Sequence, residues 1–389
     1  MKIPLSSPDI NDQDRAAVLE ALDSGILSLG PRLVEFEQAV TKLTGSRYAV
    51  AVNSGTSALH LCVKAANIKD GDEIITTPFS FVASANCILF ERAKPVFVDV
   101  DPVTLNIDVS KIEDAITPKT KAILPVHVFG RPCPLTDITY IAKRHGLKII
   151  EDSCEAIGAK HQDKPVGTFG ETGVFAFYPN KQLTTGEGGV IVTDDPQIAS
   201  RCRSWRNQGR SDADGWLEHD SLGYNYRLSE MNCALGISQL SRIDEILAAR
   251  ARVAGFYDNA FEDCFDVIPP RLSEPGSTVS WFVYVVQLGD DFDRDDRDSV
   301  IATLKQQGIG CRNYFPPIHL QPLYQNMFGF GPGDFPVAEH AAERTIALPF
   351  FNRLSEEEVR FVCQSLANAM RTLGSASAAT EVRSLSAKV

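Results

Sequence analysis

The fold of this 389-residue chain is decided by residues 175–189, FAFYPNKQLTTGEGG. An apolar, strand-like run ends at Tyr178, and a turn that contains Lys181 follows it. Two glycines then open a second apolar run, residues 190–193, which predicts another strand. Lys181 therefore lies on a short loop between two predicted strands. A suitable partner group nearby would make it a candidate catalytic residue.

The candidate partner of the lysine is Asp152, which follows the apolar run 147–151. Pyridoxal phosphate (PLP) requires a lysine and a carboxylate in such places. The lysine binds the cofactor covalently and the carboxylate holds the pyridine nitrogen protonated. Taken singly, Lys181 is equally a solvated surface residue and Asp152 a helix cap or turn residue. The PLP interpretation therefore depends on further elements in the right order.

A phosphate-binding turn is predicted at residues 53–59, NSGTSAL, between the strand-like run 48–52 and a helical pattern. Small residues let backbone N–H groups approach an anion there, and the helix N-terminus adds partial positive charge. The candidate phosphate ligands are Gly55, Thr56 and Ser57. An ordinary serine or threonine N-cap would produce the same pattern.

An aromatic residue follows another strand end within residues 77–86, TPFSFVASAN. Phe81 of this stretch could lie against a planar cofactor ring. It could equally belong to the core, as most phenylalanines do.

These elements together resemble the DegT/DnrJ/EryC1/StrS family of PLP-dependent sugar aminotransferases, which have the fold-type I architecture. The similarity runs from the first residues to about Thr372, and the perosamine-synthase-like members are the most similar, through residues 184–189 and 314–319. The stretches that carry the resemblance are residues 30–31, 35–37, 53–59, 78–86, 93–99, 151–156, 178–189 and 223–228.

The resemblance implies a role for each cofactor-binding candidate. Lys181 would bind PLP and transfer protons, Asp152 would pair with the pyridine nitrogen, and Phe81 would stack on the ring. Phosphate contacts would come from Gly55 and Thr56, joined by Asn225 from the other subunit of a homodimer with shared active sites.

Two positions depart from the family pattern. Ala176 stands where the family often has a serine, so one phosphate contact is missing. Glu155 stands where the family more often has glutamine or histidine, near the phenolic oxygen of the cofactor. A carboxylate there needs a proton, or a greater distance, to avoid repelling a phenolate.

The activity implied is transfer of an amino group from L-glutamate to C4 of a nucleotide-linked 4-keto-6-deoxy sugar, with GDP, dTDP and UDP left open. A lysine at position 181, not the histidine of a related dehydratase branch, favours transamination. Candidate sugar contacts, each equally a surface or interface residue, are Ser28, Tyr178, Tyr226, Arg227, Arg312, Tyr314 and His319. Two alternatives are a 3-keto sugar or keto-cyclitol aminotransferase and a non-catalytic PLP-binding sensor or scaffold.

Composition narrows the class of protein. The formal net charge of −12 argues against a nucleic-acid-binding face. Nine cysteines without a C-x-x-C pair predict reduced thiols in the cytoplasm, and the histidines lack metal-ligand spacing. From this spacing we expect no metal site. We also expect no membrane segment, because no apolar run is long enough to span a bilayer.

The order of elements predicts an α/β fold. Strand-like runs alternate with helical patterns such as Val109–Ile116 and Leu135–His145, which predicts a mostly parallel seven-stranded sheet with helices on both faces. Ligands of such sheets lie at the carboxyl ends of the strands. The seven predicted strands are Tyr48–Val52, Glu73–Thr77, Pro95–Asp99, Ala122–Val126, Leu147–Glu151, Gly173–Tyr178 and Val190–Thr193.

A smaller α+β domain is predicted after this sheet. We expect a large PLP-binding domain of residues 1–250, a small C-terminal domain of residues 251–373, and a polar tail, residues 374–389, without fixed structure. The elements predicted for the second half are a long helix from Ser229 to about Asp263, a strand at Trp281–Leu288, a helix at Arg297–Gln307 and a closing helix at Leu354–Leu373.

Overall fold

In the computed structural model, which describes residues 2–211, 218–262, 266–270 and 276–386, seven strands form one sheet. The strands in chain order are β1 (Tyr48–Val52), β2 (Glu73–Thr76), β3 (Lys94–Phe97), β4 (Thr120–Ile123), β5 (Lys148–Asp152), β6 (Lys160–His161), β7 (Lys164–Pro165), β8 (Thr172–Ala176), β9 (Gly189–Thr193), β10 (Val267–Ile268), β11 (Tyr284–Leu288) and β12 (Thr345–Leu348).

The α-helices cover both faces of this sheet and build the second half of the chain. Their bounds are α1 (Asp12–Asp23), α2 (Pro31–Thr44), α3 (Gly55–Ala65), α4 (Ala83–Phe90), α5 (Leu135–His145), α6 (Pro196–Arg206), α7 (Glu230–Leu240), α8 (Ile243–Phe261), α9 (Arg294–Gln306), α10 (Pro322–Phe328), α11 (Pro336–Arg344) and α12 (Glu356–Ser386).

The strand order of the large sheet is β1-β9-β8-β5-β4-β2-β3. Strand β9 runs antiparallel to both of its neighbours, and the remaining neighbours pair in parallel. The prediction of a mostly parallel, seven-stranded α/β sheet is therefore confirmed. Because β9 alone is reversed, its first residue lies at the same edge as the carboxyl ends of the other strands.

Alternate residues of each strand enter separate cores on the two faces of the sheet. Val50 and Val52 of β1 pack with α3, α4 and α6, whereas Ala49 and Ala51 pack with α2, α5 and α7. This double burial explains why the strands read as continuous apolar runs rather than as alternating patterns. It also keeps the sheet rigid, so that the loops at its edge have fixed starting points.

Among the described residues of the second half, β10, β11 and β12 form an antiparallel three-stranded sheet. Helices α8, α9 and α12 pack on it in a third core, which also contains Ile3. Helix α8 passes without a break through residue 250, where we predicted the domain boundary. The division into residues 1–250 and 251–373 stays a prediction.

Two helix predictions were wrong. Residues 109–116 form two short 3-10 turns, Val109–Lys111 and Glu113–Ala115, because the segment has several β-branched residues, which disfavour a helix, and Pro118 follows it closely. The predicted helix from Ser229 is divided into α7 and α8, and Asp263, its expected end, lies outside the described residues.

The division between α7 and α8 has a tertiary cause. The backbone of Arg242 leaves helical geometry at φ −123°, and its guanidinium donates to Asp9 at 3.2 Å and Asp14 at 2.9 Å. Ser238 also donates to Asp14, at 2.6 Å. These ion pairs join the N-terminal segment to the turn between the helices, and they involve residues more than 200 positions apart.

The last helix, α12, runs to Ser386, thirteen residues beyond its predicted end at Leu373. Residues 374–386 were expected to lack fixed structure. That expectation was wrong, because their backbone is helical. The segment is rich in alanine and has no proline, so a helix can continue through it. Residues 387–389 of the predicted tail lie outside the described residues. In the ranges that the structure describes, no helix combines the length and apolar character that a bilayer crossing needs.

Candidate active site

The carboxyl ends of β1, β2, β4, β5 and β8 meet at one edge of the sheet, together with the start of β9. A cavity of about 620 Å³ lies there, and Phe282 and residues 313–316 from the second half of the chain contribute to its lining. Its lining residues are Ser54, Gly55, Thr56, Leu59, Ser80, Phe81, Ala83, Ser84, Val126, Asp152, Cys154, Glu155, Ala176, Tyr178, Asn180, Lys181, Glu187, Gly188, Phe282, Asn313, Tyr314, Phe315 and Pro316.

One wall of the cavity is the first turn of α3. Ser54 caps this helix, accepting a hydrogen bond from the Ser57 amide at 3.1 Å. Gly55 and Thr56 begin the helix, and first-turn amides lack intrahelical acceptors. A Cβ at Gly55 would lie 2.8 Å from the Cβ of Ala176, so a side chain does not fit. The turn therefore offers backbone N–H groups and partial positive charge to an anion.

Lys181 is held in a tight loop between β8 and β9. Its amide donates to the Tyr178 carbonyl at 2.9 Å, and the Phe177 carbonyl accepts from Thr184 Oγ1 at 2.9 Å and from the Thr185 amide at 3.0 Å. Thr184 and Thr185 are thus buried supports of the loop and do not line the cavity. The resemblance of residues 184–189 to the perosamine-synthase-like members therefore reflects the shape of this loop and not a contact in the cavity.

The Lys181 side chain points into the cavity between a carboxylate and an aromatic ring. Its Nζ lies 3.4 Å from Glu155 Oε1 and 3.9 Å from the ring centroid of Phe282, a residue of the segment before β11. Only 13% of the side chain is exposed. Lys181 therefore differs from a solvated surface lysine in having a partly dry environment and a charged partner.

Glu155 is buried beside Lys181 and has a second fixed partner. Its Oε2 accepts a hydrogen bond from the Phe129 amide at 2.9 Å, where the Phe129 backbone is left-handed at φ 57°. Burial raises the pKa of the Glu155 carboxyl, although the Lys181 ammonium and the Phe129 amide oppose that rise. The charged form of Glu155 is therefore costly in the folded protein.

Replacing Glu155 by glutamine should change how the stability of the cofactor-free protein depends on pH. Because the folded pKa is raised, the native protein holds a proton that the unfolded chain releases once the pH exceeds the ordinary glutamate pKa. The free energy of unfolding then falls as the pH rises through the folded pKa. Glu155→Gln removes this loss, so its melting temperature at pH 8 should exceed that of the wild type by roughly 2 °C or more.

The control for this experiment is Glu187→Gln, which changes an exposed carboxylate of the same cavity. Scanning calorimetry between pH 5 and pH 8 would check the prediction, and the difference between Glu155→Gln and wild type should shrink toward the acidic end. A difference that stays constant over this range would contradict it.

Asp152 lies at the carboxyl end of β5 with both oxygens engaged. Its Oδ1 accepts from the Cys154 amide at 3.1 Å, and its Oδ2 accepts from Ser84 Oγ at 2.7 Å. The carboxylate lines the cavity and is 4% exposed. Asp152 is therefore positioned by two fixed donors and is not a helix cap.

The mouth of the cavity is aromatic. Phe81 and Tyr178 are 61% and 52% exposed in the single chain although both line the cavity, so their rings are available to a ligand or another subunit. Tyr314, from the segment between α9 and α10, also lines the cavity, and its ring stacks on Phe315 with the centroids 5.0 Å apart. Burial raises the pKa of the Tyr314 phenol, which therefore remains a hydroxyl donor at neutral pH.

Ser57 and six other predicted site residues do not line the cavity. The Ser57 hydroxyl donates to Oδ1 of Asn53, the residue before the N-cap of α3, at 2.8 Å. Three further predicted site residues are exposed and lie outside the lining of the cavity: Ser28, Asn225 and Arg312.

Tyr226, Arg227 and His319 are bound to other parts of the chain. Tyr226 contacts His60 at 3.1 Å, and Arg227 Nη1 donates to Asn207 at 3.1 Å. His319 is fully buried, with Nε2 at 2.9 Å from Glu339. The expectation that His319 contacts the sugar does not fit this placement, because the side chain has no exposed surface.

The structure also places residues in the cavity that the sequence did not single out. They include Ser84, Asn180, Glu187, Phe282 and Asn313. Asn180 directly precedes Lys181, and Asn313 directly precedes Tyr314. Their positions beside these predicted candidates were a signal in the sequence that could have identified them. Nothing in the sequence pattern distinguished Phe282 from a core residue of its predicted strand.

The residues present fit pyridoxal phosphate. The cavity combines an amine on a short loop, a buried carboxylate at a strand end, an accessible aromatic ring and a helix N-terminus with room for an anion. At Gly55 the helix N-terminus has no room for a side chain, because a Cβ there would lie 2.8 Å from the Cβ of Ala176.

Comparisons with known proteins agree with this geometry. The model of the DegT/DnrJ/EryC1/StrS aminotransferase family matches residues 8–367. GDP-perosamine synthase of Caulobacter vibrioides is 39% identical over 367 residues, which cover 94% of this chain and 97% of that protein.

Two solved structures superpose along nearly the whole chain. PseC of Helicobacter pylori, an aminotransferase involved in the biosynthesis of pseudoaminic acid, has 32% identity and a TM-score of 0.90, covering 96% of this chain and all of the other. Spr1654 of Streptococcus pneumoniae in its PLP form has 26% identity and a TM-score of 0.91, covering 96% and 99%. The chain belongs to the DegT/DnrJ/EryC1/StrS aminotransferase family and is a PLP-dependent sugar aminotransferase with the fold-type I architecture.

Proposed function

We propose that this enzyme transfers an amino group from L-glutamate to C4 of a nucleotide-linked 4-keto-6-deoxy sugar. The observation that supports this substrate class most is the similarity over 367 residues to GDP-perosamine synthase. The same proposal gives the enzyme a place in making deoxyamino sugars for a polysaccharide, an O-antigen or an antibiotic. Its proposed compartment is the cytoplasm, where the free thiols of its described cysteines stay reduced.

The cofactor contacts proposed follow from the cavity. Gly55 and Thr56 hold the phosphate through the first turn of α3, Phe81 covers one face of the ring, and Asp152 pairs with the pyridine nitrogen. Bound PLP supplies an electrophilic carbon for the amino group and a ring that accepts an electron pair.

Lys181 carries the proton transfers in this proposal. Its Nζ removes the proton from Cα of the amino donor, and in the second half-reaction it delivers a proton to the sugar carbon that receives nitrogen. The loop that holds its backbone limits where this amine can move. The Phe282 ring covers it on one side, with the ring centroid 3.9 Å from Nζ.

Glu155 holds the lysine amine in place in the cofactor-free enzyme, at 3.4 Å from Nζ. Once the lysine amine is engaged by the cofactor, a buried carboxylate without its cation is favoured in the protonated form. We propose that Glu155 then offers a proton toward the cofactor, which removes the repulsion expected for a charged carboxylate near a phenolic oxygen.

We propose that the sugar substrate binds at the aromatic mouth of the cavity. Tyr314 keeps its proton because burial raises its pKa, so it can donate to a sugar oxygen, and Tyr178 and Asn313 lie at the same opening. Arg312 is exposed two residues before Tyr314 and remains a candidate for the diphosphate, since arginine suits phosphate oxygens.

The active unit proposed is a homodimer with shared sites. Phe81 and Tyr178 are more than half exposed in the single chain, which leaves the cavity open on that side. Asn225 is exposed, and its carbonyl accepts from Asn53 at 3.4 Å, close to the end of β1. Several apolar side chains of α1, α2 and the loop between them are also exposed, as in an uncovered interface: Leu19, Leu22, Ile26, Leu27, Leu29 and Val34.

The substrate is tested with a panel of nucleotide-linked keto sugars and L-glutamate. We expect kcat/KM for a 4-keto-6-deoxy sugar to exceed that for 3-keto isomers by at least about tenfold, or roughly 1.4 kcal/mol of transition-state discrimination. NMR spectroscopy of the product locates the new amine. Nitrogen at C3, or activity only with a cyclitol ketone, would assign a sister activity that uses the same PLP residues.

A further inference from the structure

The carboxylate of Asp152 is held on its cavity side by a serine hydroxyl. Ser84 is the second residue of α4, is 1% exposed, and lies with its Oγ 2.7 Å from Asp152 Oδ2. Both residues line the cavity, so this contact lies at its wall and not deep in the core. Hydrogen bonds to an ionised carboxylate are roughly twice as strong as those between neutral groups.

A second serine extends this contact into a short chain. Ser80 Oγ lies 2.8 Å from Ser84 Oγ. Because Ser84 uses its single proton toward Asp152, it accepts the proton of Ser80. The two hydroxyls therefore point in one direction, toward the carboxylate, and polarise each other.

The same segment carries the ring that faces the cofactor site. Phe81 lies between the two serines in sequence and is 61% exposed at the cavity mouth, whereas Ser80 and Ser84 are buried. The segment is anchored at its N-terminal end. The Phe79 amide donates to Thr77 Oγ1 at 3.1 Å, and the Pro78 carbonyl accepts from the Ile318 amide at 2.8 Å.

We propose, on the basis of the role proposed above for Asp152, that Ser84 is a positioning residue that orients the Asp152 carboxylate toward the cofactor ring nitrogen, and that Ser80 orients Ser84. The Cys154 amide fixes one oxygen of Asp152 at 3.1 Å, and Ser84 fixes the other. With one oxygen held from each side, the plane of the carboxylate cannot rotate. The Ser80–Ser84 pair thus couples the position of the loop that bears Phe81 to the orientation of Asp152.

Ser84→Ala tests this proposal, because it removes the hydroxyl with little change in volume. The readouts are the dissociation constant of the cofactor-free protein for PLP and the ¹⁵N NMR signal of ring-labelled PLP in the holoenzyme, which reports protonation of the ring nitrogen. We expect the dissociation constant to rise roughly tenfold and the nitrogen signal to shift toward the unprotonated form. Ser80→Ala should shift both readouts in the same direction by a smaller amount, and it serves if Ser84→Ala does not fold.

The matched control is Ser238→Ala. Ser238 is also a buried serine that donates to a buried aspartate, at 2.6 Å from Asp14 Oδ1, and it lies outside the cavity. Its loss should lower thermal stability and leave the PLP readouts unchanged.

The outcomes separate this proposal from the one on which it rests. If both cavity variants lose stability as Ser238→Ala does, with an unchanged nitrogen signal and PLP affinity, the serines are only structural and the proposal is overturned. If the ring nitrogen is unprotonated already in the wild type, the role proposed for Asp152 fails first. A protonated nitrogen in the wild type that is lost in Ser84→Ala supports both.

Discussion

Replacing Lys181 by alanine is expected to reduce the rate of amino transfer by roughly 10⁴-fold or more, because the variant loses both the covalent attachment point and the proton carrier. The lysine has no substitute near it. Within the described lining of the cavity it is the only lysine or arginine, and its Nζ lies 3.4 Å from Glu155. PLP should still bind without a covalent bond, because the contacts at Gly55, Thr56, Phe81 and Asp152 remain.

The measurement has two parts. Steady-state assays with L-glutamate and a keto sugar give the loss of turnover, and borohydride reduction followed by peptide mass spectrometry gives the residue that carries the cofactor. Lys148→Ala is the control. Lys148 is a partly buried lysine at the end of β5 opposite to Asp152, and its Nζ donates to the Ala66 carbonyl at 2.6 Å. Normal turnover in Lys181→Ala, or cofactor attached to a different residue, would refute the assignment.

Mixing two inactive variants is expected to restore activity if the sites are shared between subunits. Lys181→Ala damages the site of its own chain, and Asn225→Ala is proposed to damage the phosphate site of the other chain. A mixed dimer then has one site with both lesions and one site with neither. With random exchange, half of the dimers are mixed, so recovery should reach roughly a quarter of the wild-type activity.

Subunit exchange must be shown independently, for example by native mass spectrometry of differently tagged chains. Mixing Lys181→Ala with Asp152→Ala is the matched control, because both lesions lie in the same chain's cavity and each mixed dimer then has two damaged sites. Exchange without recovery in the Lys181→Ala and Asn225→Ala pair would mean that Asn225 does not act across the interface.

The sequence alone determined the fold class and the main lining of the site. Each of the seven predicted strands lies within a few residues of its observed bounds, because continuous apolar runs ending in turn residues are a local signal. The same signal located the loops at the strand ends. Since parallel strands bring their carboxyl ends to one edge, Gly55, Phe81, Asp152 and Lys181 had to meet there.

Predictions that depended on the direction of a single side chain were less successful. Thr56 and Ser57 are adjacent in the first turn of α3, yet Thr56 lines the cavity and the Ser57 hydroxyl bonds to Asn53. His319 follows Tyr314 by five residues, yet it is buried against Glu339 while Tyr314 lines the cavity. At helix ends and outside regular strands and helices, the direction of each side chain depends on its hydrogen-bond and packing partners, and no periodic pattern records it.

Only the tertiary structure decided which distant side chains touch the catalytic candidates. Phe282 reaches Lys181 from a segment about a hundred residues away, and Ser84 reaches Asp152 across 68 positions. The break between α7 and α8 also follows from ion pairs of Arg242 with the N-terminal segment. Local sequence determines helices, caps and turns because their hydrogen bonds close within a few residues, whereas these contacts exist only after distant segments of the chain have packed together.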